Sequence, residues 1–124
     1  MHSLSIERRK AGSNSSLPGD IAYQLRTRLA SGKVCVVTDR PKDMVAAVKK
    51  QCHKTTRLRQ LRFVANPNDD FTGTDIGFVT PAQALGYAPE CRTMYIACNV
   101  QKDKLHFMTA MMPPGGTVVI YDAN

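Results

Sequence analysis

Four short polar residues, Asp39, Asn66, Thr80 and Asn99, each follow closely on an apolar run. Asp122 and Asn124 stand in the same position after the last such run. Carboxylate, amide and hydroxyl groups of this size can hydrogen-bond ribose hydroxyls, a base edge or backbone amides. The same residue types also cap helices and make turns, so they have a structural use at these positions as well. A second set carries different chemistry. Lys49, Lys50, Lys54, Arg57, Arg59 and Arg62 crowd one stretch in which no acidic side chain intervenes. Such a stretch can contact phosphates, which gives affinity without base reading.

Other chemistries lack their residues. No Gly-x-x-x-x-Gly-Lys-Ser/Thr and no Gly-x-Gly-x-x-Gly occurs, so the usual phosphate-cradling loops are absent. Gly115-Gly116 precedes a strand candidate, so it reads as a turn. There is no Gly-x-Ser-x-Gly, and neither cysteines nor histidines have metal-ligand spacing. No catalytic or metal-ligating residue is assigned.

The strand and helix pattern determines where the polar residues sit. Val34-Cys35-Val36-Val37 is an apolar, β-branched run of strand length. Pro41 suits the first turn of a helix, which then carries Met44, Val45, Val48 and Cys52 on one side. Leu61–Ala65, Ile76–Val79, Arg92–Cys98 and Thr117–Tyr121 read as further strands. Thr80-Pro81-Ala82-Gln83 is a capping box opening a short helix, and Asn99–Met112 reads as another helix. Leu17, Ile21, Leu25 and Leu29 recur every fourth residue, a helical spacing, and Gly32 fits the stop. Apolar strands alternating with helices imply an α/β fold. The expectation is a three-layer Rossmann-like domain, with a mostly parallel sheet of about five strands and helices on both faces. Residues 17–124 form that domain, and residues 1–16 read as a flexible basic N-terminal arm. In such a sheet the carboxyl ends of the strands share one edge, where ligands bind at a switch point.

The chain's bulk properties narrow the class. An apolar share of 43% over 124 residues fits one globular domain. The net charge of +7 is unevenly spread. Residues 1–62 hold 14 of the 17 Lys and Arg and 4 of the 10 Asp and Glu, a difference of +10. Residues 63–124 hold the remaining 3 and 6, a difference of −3. A basic face of this kind meets nucleic acid, RNA or DNA, more often than other partners. Cys35, Cys52, Cys91 and Cys98 form no Cys-x-x-Cys pair and read as reduced thiols, which implies a cytoplasmic or other reducing intracellular compartment. No apolar run approaches transmembrane length, so no membrane partner is expected.

Two stretches, VCVVTDRPKDMVAAVKKQ with LRFVANPNDD and MYIACNVQKDKLHFMTAMMPPGGTVVIYDA, resemble the Rossmann-type methyltransferases that bind S-adenosylmethionine. The resemblance implies that Asp39 holds the ribose hydroxyls and that Asn66 flanks the adenine. It also matches the Pro-Gly-Gly turn before the last strand. That family's glycine-rich cofactor loop has no counterpart here. The order of Gly32–Gln51, FVTPAQAL, MYIACNV and TVVIYDAN also resembles later motifs of a helicase-type RecA-like domain, without its phosphate loop or acidic metal motif.

Three functions follow as expectations. The first is a non-catalytic or degenerate Rossmann-like domain binding nucleic acid through its basic face, as part of a larger assembly. The second is a methyltransferase-like binder of S-adenosylmethionine or a nucleotide, using Asp39, Asn66, Thr80 and Asn99. The third is an adaptor subunit, a homo-oligomer or a hetero-complex paired through a sheet edge.

Overall fold

A computed structural model describes residues 4–10, 17–27, 33–52, 62–65 and 75–122. The elements run β1 (Ser5–Lys10), α1 (Leu17–Thr27), β2 (Lys33–Val37), α2 (Pro41–Cys52), β3 (Arg62–Ala65) and β4 (Asp75–Val79). There follow α3 (Pro81–Tyr87), a 3-10 turn (Ala88–Glu90), β5 (Cys91–Ile96), α4 (Lys102–Met111) and β6 (Thr117–Asp122). The six strands form one sheet in the order β1-β6-β5-β2-β4-β3. Every neighbouring pair is parallel.

Successive side chains of a strand point to opposite faces. Val34 and Val36 of β2 join Phe78, Tyr95 and Val119 in one core, beneath Ile21 and Leu25 of α1 and Val48 and Cys52 of α2. Cys35 and Val37 join Val79, Met94, Ile96 and Val118 in a second core, beneath Ala84 of α3, Met108 of α4 and Met112 just past its end. The two cores therefore lie on opposite faces, each covered by helices, which is the three-layer arrangement expected. Val34 is 7% exposed and Val36 and Val37 are fully buried, as a doubly covered strand requires. Among the described residues no helix is long and apolar enough to cross a membrane.

The N-terminus corrects an expectation. Within the span read as a flexible arm, Ser5–Lys10 is the strand β1, paired along its length with β6. Its sequence, SIERRK, lacks an apolar run because β1 is an edge strand and only half covered. Glu7 and Arg9 turn toward α1, where Arg9 pairs with Asp20 at 3.3 Å and with Glu7 at 3.2 Å. Arg8 pairs with Asp122 of β6 at 2.8 Å. Charged side chains on an edge strand also discourage pairing with a further chain, which weighs against β1 as an adaptor edge.

The turn into β6 depends on glycine. Gly115 has φ 84°, a left-handed conformation that side chains resist. A Cβ on Gly116 would stand 3.1 Å from the Arg92 carbonyl oxygen. The Gly-Gly pair is thus a turn and a close approach, not a phosphate loop.

Candidate functional site

β2 lies between β4 and β5, and its carboxyl end is tied to both. The Thr38 amide donates to the Val79 carbonyl at 2.8 Å, and the Ala97 amide donates to the Val37 carbonyl at 2.7 Å. From β2 the chain enters α2 on one face of the sheet; from β4 and β5 it enters α3 and α4 on the other. That divergence makes the end of β2 a topological switch point, the place where open α/β sheets leave a crevice. Thr38, Asp39, Thr80 and Asn99 all fall in the segments that leave these three strands.

Their side chains are used unequally. Thr38 is buried, and its hydroxyl accepts the Arg40 amide at 3.2 Å, shaping the turn into α2. Pro41 then occupies the first helical position, and the Met44 amide closes the first turn on the Arg40 carbonyl at 3.0 Å. Asp39 and Asn99 are exposed. Thr80 caps α3: its hydroxyl accepts the Gln83 amide at 3.3 Å, while the Gln83 side chain accepts the Thr80 amide at 2.9 Å. The capping box read from the sequence is therefore real, and it occupies the Thr80 hydroxyl. Asn66, together with Asn124, lies outside the described residues.

Cys98 belongs to this edge and not to the strand expected over Arg92–Cys98. β5 ends at Ile96, so Cys98 lies beyond it and is half-buried. Burial, with the Asp39 carboxylate adding to it, pushes the Cys98 thiol up to about 11. It is therefore a neutral thiol at neutral pH and a poor nucleophile. The folded value lies above the ordinary one, so the folded protein holds the proton more tightly, and ionising Cys98 costs stability as pH rises from about 9 toward about 11. Iodoacetamide is expected to label native Cys98 slowly at pH values below that window and faster through it. A native labelling rate equal to that of the unfolded chain at about pH 8 would contradict the assignment.

The basic set lies elsewhere. In α2, Pro41, Val48 and Cys52 are buried. Lys42, Lys49 and Lys50 are exposed and, among the described residues, form no ion pair. Arg62 is exposed at the start of β3, the other edge strand. Lys54, Arg57 and Arg59 lie outside the described residues. Part of the first half's positive surplus is used inside the fold. Arg8 meets Asp122, and Lys33 meets Glu90 at 2.9 Å, so both pairs join the basic half of the chain to the acidic half.

Among the described residues no three His, Cys, Asp or Glu side chains group as metal ligands. The chain matches no protein-family model and no curated protein.

Proposed function

We propose that the protein binds nucleic acid through the outer side of α2 and the basic segment that follows it, without catalysing a reaction. The supporting observation is the exposure of Lys42, Lys49 and Lys50 without ion pairs among the described residues, on a helix whose buried residues face the sheet. The helix leads directly into the sequence that carries Lys54, Arg57, Arg59 and Arg62. Lysines and arginines in this arrangement neutralise phosphates and release counterions, so affinity depends on salt. The four free thiols support a reducing compartment for this role.

Affinity for a short RNA or DNA duplex is expected to fall at least tenfold between about 50 and 200 mM salt. The double substitution Lys49→Ala/Lys50→Ala is expected to lower the slope of log affinity against log salt by about two. Both residues are exposed, so each replacement should alter stability by no more than about 0.5 kcal/mol. Fluorescence anisotropy across a salt series measures both effects, and a flat series would end this reading.

A second reading, a nucleotide or S-adenosylmethionine site at the carboxyl edge, is favoured by the switch point at β2. Asp39 is exposed there and keeps its carboxylate oxygens available for ribose hydroxyls. Calorimetry with S-adenosylmethionine tests it. Asp39→Ala is expected to abolish the heat of binding, and an unchanged titration would remove Asp39 from the site.

A further inference from the structure

We propose that Cys35 and Cys91 are a paired oxidation site, which a peroxide converts into a disulfide stapling β2 to β5. The two strands are neighbours, with Cys35 opposite Met94 and Lys33 opposite Cys91. Residues three apart on a regular strand lie on opposite faces. The register shifts between Lys33 and Val34, leaving Arg92 as an extra residue on β5. Cys91 and Met94 therefore share one face, and Cys91 joins Cys35 in the same buried core. Both residues are fully buried in that core, and Cys91 raises the pKa of the Cys35 thiol.

The surroundings select the chemistry. The neighbouring Cys91 and the burial push the Cys35 thiol strongly up, so a Cys35 thiolate in this core is costly. A metal held by two thiolates, or a bulky adduct, would bury charge or volume among Val37, Met94 and Ala88. A disulfide is neutral and takes less room than two thiols. The reaction balances with hydrogen peroxide as oxidant. One sulfur attacks a peroxide oxygen, the O–O bond breaks, and a sulfenic acid and one water result. The second sulfur then attacks the sulfenic sulfur, the S–O bond breaks, and a second water leaves with the thiol proton. Two electrons pass from the two sulfurs to the peroxide oxygens.

The pair lies near the start of β2 and β5, away from the carboxyl edge. The Lys33–Glu90 ion pair stands beside it. Native oxidation is expected to be slow, because both thiols are fully buried, and to accelerate in mild denaturant that opens the start of β5.

The test treats the whole chain with hydrogen peroxide, alkylates the remaining thiols after unfolding, and maps the peptides by mass spectrometry. The expected product is a Cys35–Cys91 linked peptide, lighter by two hydrogens, with dithiothreitol restoring both thiols. The oxidised protein should melt at a higher temperature than the reduced one. Cys91→Ala should abolish both the linked peptide and the melting shift, whereas Cys52→Ala, in the opposite core, should keep them. The proposal is overturned if Cys35 and Cys91 both remain alkylatable when Cys98 is fully oxidised. It is equally overturned if Cys35 links to Cys52 or Cys98 as often as to Cys91, or if the melting temperature does not rise.

Discussion

Replacing Val36 with Asp is expected to leave little folded protein at room temperature. Val36 is fully buried in the middle of β2, with β4 on one side and β5 on the other. Its core neighbours are Ile21, Val48, Phe78 and Tyr95, none of which offers a carboxylate a positive partner. A carboxyl group there either stays charged and unsolvated or takes up a proton, and both outcomes cost several kcal/mol. Domains of this kind hold roughly 5–15 kcal/mol in total. Lys50→Asp is the control. Lys50 is exposed on α2, so its replacement should change stability by about 0.5 kcal/mol or less. Urea unfolding followed by circular dichroism compares the two. Similar midpoints would mean that β2 is not the central, doubly covered strand.

β2 was legible in the sequence because burial on both faces demands an uninterrupted apolar run, and Val34-Cys35-Val36-Val37 is one. The same rule found β4, β5 and β6. It failed on β1 for the complementary reason. An edge strand buries half of one face, so SIERRK can fill its inward positions with Glu7 and Arg9 and satisfy them with Asp20. Hydropathy takes such a strand for a polar tail. The α3 boundary was legible because Thr80 and Gln83 act locally, within one turn. The α4 boundary was less so: the helix begins at Lys102 rather than Asn99, and Asn99 stays in the loop leaving β5.

The site was legible in outline only. Residue types at strand ends pointed to one edge, and the fold brings Thr38, Asp39, Thr80 and Asn99 to it. Sequence spacing does not reveal which strands are neighbours, so the position of β2 between β4 and β5 came only with the structure. Nor does it show that the Thr38 hydroxyl is already engaged by the Arg40 amide. Charge counting overstated the basic face for a related reason. Arg8 and Lys33 are paired with Asp122 and Glu90, which are far away in sequence and adjacent in space.

Phe78→Ala is expected to cost about 3–5 kcal/mol, the usual range for emptying a fully buried aromatic site. Phe78 is fully buried on β4, between β2 and β3. Its ring meets Phe63 of β3 edge to face, with centroids 5.9 Å apart and planes at 72°. That geometry sets the positive ring edge against the negative face, a contact worth about 0.5–1.5 kcal/mol beyond buried area. Phe63 is only half-buried, so Phe63→Ala should cost less than Phe78→Ala. If the ring contact contributes in its own right, the double variant should cost less than the two single losses added together, because the contact is lost only once. Strict additivity would mean that the rings contribute area alone. A Phe78→Ala loss below about 1 kcal/mol would be more damaging, because a core with no cavity penalty there is not packed around β4. The polar edge depends on the same packing. Val79 directly follows Phe78, and its carbonyl accepts the Thr38 amide that ties the end of β2 to β4. Loosening Phe78 should therefore disturb Thr38 and Thr80 while leaving the lysines of α2 exposed, so a ligand at the carboxyl edge would weaken before polyanion binding does.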